Sequence, residues 1–229
     1  LSYQVLRGHD PRDSTSIKAL PEENYISDID KGVEGFRIGV PKECFSQGLD
    51  NEIADSIYEA VRLYEKMGAK VEEVSFPVLE SGLSAYYIIS SAEASSNLAR
   101  YDGIRYGYRS KNFSNIDELI LNSRSEGFGK EVKRRIMLGT YVLSSGYYDA
   151  YYKKAMLLRK KIRNVFKEAF QNYDVLLMPT SPVLPFGLGE KRNDPLEMYL
   201  SDIYTVTINI AGVPAISLPC GFSKSGLPI

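Results

Sequence analysis

The 229-residue sequence is poor in the residues that usually build reactive sites: it holds one histidine, two cysteines and no tryptophan. His9 sits in a Gly8-His9-Asp10-Pro11 turn, so a Ser-His-Asp or Cys-His unit would rest on a loop histidine. Cys44 and Cys220 are far apart and show no Cys-x-x-Cys or Cys/His spacing, which leaves a metal site or disulfide framework without support and favours a reducing compartment. Acid-base chemistry in such a chain falls to Lys, Tyr, Asp or Glu. Excess charge is missing as well. With 28 Lys+Arg against 29 Asp+Glu the formal net charge is -1, so bulk positive charge does not hold phosphates and composition implies no nucleic-acid partner. No apolar run approaches the ~18 residues that span a bilayer, and the N-terminus lacks the basic-then-apolar order of a signal peptide. No membrane association is expected.

What is present describes a folded chain. Hydrophobic residues make up 44% and charged residues 25%, near the globular average, and the length suits one large domain or part of one. The opening at Leu1 and the stop at Ile229, just after a strand-like run and a glycine turn, read as a fragment cut from both sides.

Residues 1–35 are rich in turn formers, including Gly8, Asp10-Pro11, the run Asp13 to Ser16 and Pro21, and form a connecting segment. Residues 36–76 predict a βαβ unit with a parallel pair. A strand runs from Phe36 to Pro41, and the following helix carries Ile53, Ile57, Ala60, Val61 and Tyr64 on one stripe before Gly68 and a second strand at 70–76. Residues 79–172 form a helical region: a helix over 79–101, another opened by a Ser114/Asp117 capping box and closed at Gly127, a third over 128–143, and a long one over 147–172. The last has a stripe of Ala155, Leu158, Ile162, Val165, Ala169 and Phe170, and its many lysines and arginines suit a solvated face. Residues 173–229 return to the core sheet through a buried strand at Val175-Leu176-Leu177-Met178, a Pro- and Gly-rich loop to Pro195, a short helix and a last strand over Ala215-Ile216-Ser217-Leu218-Pro219. The order is α/β.

The serine pairs 90-91, 95-96 and 144-145 lack the strained elbow or glycine-rich oxyanion loop of a nucleophile, so helix packing accounts for them. Arg135 and Asp202 have a more specific chemistry. Arginine offers a planar fork to a carboxylate and aspartate holds an ammonium group, so the two together can grip an α-amino acid. Spacing alone does not bring them together.

Three stretches carry a resemblance: Gly8-His9-Asp10-Pro11-Arg12-Asp13-Ser14-Thr15-Ser16; Val132-Lys133-Arg134-Arg135-Ile136-Met137-Leu138-Gly139-Thr140 running into the segment from Ser144 to Tyr152; and Asp202-Ile203-Tyr204-Thr205 with the run from Ala211 to Pro219. They resemble the A subunits of tRNA-dependent amidotransferases, a branch of the amidase signature family. The second stretch is the most specific to that branch, and the resemblance covers essentially the whole chain. It implies a mixed β-sheet flanked by helices and a glutaminase whose ammonia passes to a B subunit. Activation of Glu-tRNA(Gln) or Asp-tRNA(Asn) with ATP and magnesium falls to that partner, and a small C subunit joins A and B. A cytoplasmic, bacterial-type protein is implied.

In that family a lysine, a bridging serine and a nucleophilic serine hydrolyse glutamine, all upstream of the matched region, so the resemblance assigns no catalytic residue and no metal ligand here. It does imply glutamine recognition by Tyr86 as a pocket-lining contact, by Arg135 for the α-carboxylate and by Asp202 for the α-ammonium group. Arg134 and Tyr87 are the adjacent alternatives. Two other readings stay open: a stand-alone amidase acting on another amide, for which an Arg/Asp pair has no use, and a non-catalytic fragment that docks subunits.

Overall fold

The computed structural model describes residues 2–18, 24–46, 48–188 and 195–229. Pro21, counted above among the turn formers, and the part of the loop at 189–194 lie outside the described residues. The N-terminal segment is less irregular than its turn formers suggest. Helix α1 (Ser2–Leu6) and a 3₁₀ turn over Tyr25–Lys31 meet through Tyr3 and Tyr25, whose rings lie edge to face at 5.3 Å, with the Arg7 guanidinium 5.0 Å from the Tyr25 ring. Aromatic contacts between distant turns are invisible to local composition.

Strand β1 (Arg37–Pro41), helix α2 (Asn51–Lys66) and strand β2 (Lys70–Val74) form the βαβ unit, with Arg37 opposite Lys70 and Pro41 opposite Val74 in parallel register. Asp50 caps α2 by accepting a 2.8 Å hydrogen bond from the Glu52 N–H, and Ile53 and Ile57 bury its inner face. Gly68, at φ +91°, makes the left-handed turn that ends the helix and starts β2.

On the other side of β1 lies β3 (Val175–Leu176), giving the sheet order β2-β1-β3. It is shorter than the expected run to Met178, because Pro179 closes it, although Leu177 N–H still donates to Gly39 at 2.9 Å. All three described strands are parallel, so the implied mixed sheet is represented here by parallel strands only. The strand expected over Ala215–Pro219 does not form among the described residues. Pro214 and Pro219 lack donors, and Ile216 and Leu218 stand 82% and 61% exposed, so the segment has neither ladder nor cover here. Pairing appears only beyond it, where Phe222 meets Pro228 in an isolated antiparallel bridge.

A 3₁₀ turn over Pro77–Ser81 leads into α3 (Gly82–Leu98), followed by α4 (Ile116–Gly127) and α5 (Lys130–Leu143). The cap of α4 sits one residue later than expected. Asn115 accepts from the Glu118 N–H at 2.9 Å and Glu118 reaches back to the Ser114 N–H at 2.8 Å, so Glu118 and not Asp117 closes the reciprocal pair. A π-helical turn over Tyr148–Tyr152 precedes α6 (Lys153–Asn172), and α7 (Pro195–Leu200) and α8 (Ile203–Ala211) complete the chain.

The core lies where α6 meets α3 and α8. Ala155, Ile162, Phe166 and Ala169 of α6 are buried with Ala85 and Ile89 of α3 and Ile210 and Ala211 of α8. Phe166 is 1% exposed and Phe170 41%, which corrects the expected stripe: a period of 3.6 aligns Phe166 with Ile162 and Ala169. Cys44 joins this core at 2% exposure, and burial followed by the neighbouring Glu43 charge pushes its thiol up to about 12. Only the thiolate alkylates readily. Cys44 should therefore resist iodoacetamide at pH 8 in the folded protein and react once denatured, as read by mass spectrometry of the alkylated peptides.

Candidate functional site

Helices α3 and α5 approach each other closely because their contact face is small. A Cβ placed on Gly139 would lie 2.0 Å from the Ser91 carbonyl oxygen and 2.6 Å from Ser95 Cβ, so only glycine fits there. Ser95 and Thr140 share a 3.0 Å hydroxyl contact further along. One turn before Ser91 stands Tyr87, and one turn before Gly139 stands Arg135. The close backbone contact thus brings these two side chains together, with the Arg135 guanidinium carbon 5.8 Å from the Tyr87 ring centre.

Helix α8 is drawn to α3 in a similar way, since a Cβ on Gly82 would meet Thr207 Oγ1 at 2.5 Å. Asp202 occupies the N-cap position of α8 without using its side chain to cap. Its carboxylate has no hydrogen bond or ion pair among the described residues, and the residue is exposed.

Between α3, α5 and α7 lies a cavity of about 260 Å³, lined by Leu83, Ser84, Tyr87, Ser91, Arg134, Arg135, Leu138 and Tyr199. Its size suits a small molecule. Tyr199 packs against Tyr87 with ring centres 4.1 Å apart and planes tilted at 35°. Burial first and the Asp202 charge second push the Tyr87 hydroxyl up to about 12 against the opposing Arg135 charge, so Tyr87 remains a neutral donor at ordinary pH. Asp202 therefore acts electrostatically on the same tyrosine that Arg135 covers.

Glu131, one turn before Arg135, accepts from Arg135 Nε at 3.2 Å and from Arg134 Nη1 at 2.6 Å, and the Tyr199 hydroxyl donates to it at 2.8 Å. Burial works against the Glu131 charge, but these hydrogen bonds and the two arginine charges outweigh it and hold its pKa below the usual carboxylate value. Two guanidinium charges face one carboxylate, which leaves one positive charge beside the cavity.

Of the residues singled out from sequence, Arg135 and its neighbour Arg134 both line the cavity. Tyr86 packs against the core cluster, edge-on to Tyr87 at 5.2 Å, and Tyr87 is the one that forms the wall. Sequence reasoning missed Glu131 and Tyr199. Glu131 had a signal in its i, i+4 spacing to Arg135, whereas Tyr199 is brought in by the tertiary fold alone.

Residues 1–229 match the family model described as Amidase along their whole length. The chain belongs to the amidase family. This amidase chain is 71% identical over 229 residues to the A subunit of glutamyl-tRNA(Gln) amidotransferase from Alkaliphilus metalliredigens, covering 100% of the chain and 47% of that relative. It is 57% identical over 222 residues to the A subunit of glutamyl-tRNA(Gln) amidotransferase from Ruminiclostridium cellulolyticum, with 97% and 46% covered. The chain spans about half the length of the curated relatives it matches. Among solved structures, the A subunit of the Thermotoga maritima glutamyl-tRNA(Gln) amidotransferase is similar at 40% identity and a TM-score of 0.69, over 96% of this chain and 42% of that one. A bacterial aryl acylamidase shares the amidase fold at 21% identity and a TM-score of 0.69, over 98% and 44%.

Other polar groups of the amidase chain serve local structure. Ser144 Oγ donates to the Tyr141 carbonyl at 2.7 Å, closing α5, and exposed His9 meets Ser16 Oγ at 3.2 Å within its turn. A second cavity of about 220 Å³, walled by Leu79, Phe166, Met178, Tyr204 and Ile208 with Glu43 and Glu80 at its edge, holds no arginine. No described helix is long and apolar enough to cross a membrane.

Proposed function

We propose that this chain forms the glutamine-recognition end of the active site in the A subunit of a tRNA-dependent amidotransferase. One observation carries the reading: a single small cavity joins the Arg135 fork to Tyr87, and Tyr87 feels the charge of Asp202. The surplus positive charge suits the α-carboxylate of glutamine, and the Asp202 carboxylate, which has no hydrogen bond or ion pair among the described residues, suits its α-ammonium group. Held at that end, glutamine presents its side-chain amide to the serine-lysine machinery that the resemblance assigns to the rest of the protein. Water then replaces the amide nitrogen, yielding glutamate and ammonia.

The ammonia serves a B subunit that converts Glu-tRNA(Gln) to Gln-tRNA(Gln), or Asp-tRNA(Asn) to Asn-tRNA(Asn), with a C subunit joining A and B in the cytoplasm. ATP and magnesium belong to the B subunit in this reading. Among the described residues no group of three or more His, Cys, Asp or Glu side chains is placed to hold a metal.

Asp202→Asn keeps the shape and removes the charge. In the complete protein with its partner subunits, it should raise the glutamine KM about tenfold or more with little change in kcat, as expected for a lost contact to the unreacting end. An unchanged KM would point to a stand-alone amidase with no use for the ammonium group.

A further inference from the structure

Glu131 does not line the cavity, yet it binds three side chains that do: Arg134, Arg135 and Tyr199. An i, i+4 ion pair on a helix surface contributes little by itself, because both side chains are free to part and water screens them. Convergence makes this one different. Tyr199 comes from α7, 68 residues further along, and donates to Oε1, the same oxygen that accepts from Arg135 Nε. That hydroxyl fixes the carboxylate from outside the helix, and the Tyr199 ring itself packs against Tyr87, tilted at 35°. Nε is also the inner nitrogen of the guanidinium. A bond there limits rotation of the plane, and among the described residues no hydrogen bond occupies the terminal nitrogens.

We infer that Glu131 is a positioning residue: braced by Tyr199, it holds the Arg135 guanidinium in the plane that offers both terminal nitrogens to the substrate α-carboxylate. The inference rests on the reading of Arg135 given above. Glu131 also balances one of the two guanidinium charges, so the pocket matches a single carboxylate. The same hydrogen-bonded group thereby sets both the direction and the strength of the site.

The test uses the complete protein with its partner subunits and two amides, L-glutamine and butyramide, the second lacking an α-carboxylate. Glu131→Gln should raise the glutamine KM about tenfold with kcat within about twofold, and lower the preference for glutamine over butyramide in kcat/KM by about the same factor. Combined with Arg135→Ala, it should add no further rise, because its effect runs through that arginine. Tyr199→Phe, which removes only the brace, should give a smaller rise in the same direction, and melting temperatures show whether each variant folds. An equal loss on both amides, or effects of Glu131→Gln and Arg135→Ala that multiply, would make Glu131 structural and overturn the inference. An Arg135→Ala effect with none from Glu131→Gln or Tyr199→Phe also overturns it while leaving the Arg135 reading intact. No effect from Arg135→Ala removes both.

Discussion

Arg135→Ala in the complete protein is expected to raise the glutamine KM at least 30-fold, roughly, with a well-folded enzyme and a far smaller change for butyramide. Removing one partner of a buried, hydrogen-bonded charge pair typically costs about 2 to 5 kcal/mol; with 35% of its side chain exposed Arg135 belongs at the lower end, and about 2 kcal/mol corresponds to that 30-fold. Part of that cost is the carboxylate left facing an apolar wall of Leu83 and Leu138. Arg135→Lys should recover only part of the loss, since an ammonium group keeps the charge without the fork that two carboxylate oxygens need. Arg134 is 53% exposed on its side chain against 35% for Arg135, so Arg134→Ala should have the weaker effect. The reverse ranking would move the carboxylate site to Arg134. Steady-state kinetics on the four proteins decides between them.

Gly139→Ala is expected to be the most damaging single methyl in the chain. In an ordinary helix interior this change stabilises by about 1 kcal/mol. Here the new carbon would lie 2.0 Å from a backbone oxygen of α3 that belongs to a helix and cannot turn aside, so α5 itself must move. Overpacking of this kind costs about 1 to 3 kcal/mol and more where backbone is struck. A net loss of about 2 kcal/mol or more should appear as a lower denaturation midpoint. Displacing α5 also separates Arg135 from Tyr87, so glutamine affinity should fall with it. Gly129→Ala makes the control: nothing lies within 4 Å of its added carbon, so it should lose only what alanine costs at the N-cap of α5, about 1 kcal/mol or less. Equal midpoints for the two variants would refute the close-packed α3–α5 contact.

Much of the fold is legible where one physical rule dominates a segment. The βαβ unit shows itself through the stripe from Ile53 to Tyr64 and through Gly68, whose left-handed backbone needs a residue without Cβ. The long helix is recognisable by its period, yet the choice between Phe166 and Phe170 depends on the face that packs against α3 and α8, which short-range counting does not supply. Ala215–Pro219 misleads for a related reason. A short, largely apolar run reads as a strand whether or not a neighbour pairs with it, and among the described residues none does. Arg135 and Asp202 stand out in the sequence because their types match the two ends of an amino acid; Arg135 lines the cavity, and Asp202 is outside its lining. Tyr199 does not, because its contribution comes from meeting a carboxylate 68 residues away.

Equilibrium binding of L-glutamine is the most direct test of the substrate assignment. The complete protein, with the serine that the family resemblance assigns as nucleophile replaced so that bound glutamine is not hydrolysed, is titrated calorimetrically beside the same protein carrying Arg135→Ala or Asp202→Asn. Glutamine should bind the parent in a single site, bind each variant at least tenfold more weakly, and not be displaced by equimolar butyramide. Equal affinity in all three proteins, or displacement by butyramide, would contradict a zwitterion held between Arg135 and Asp202.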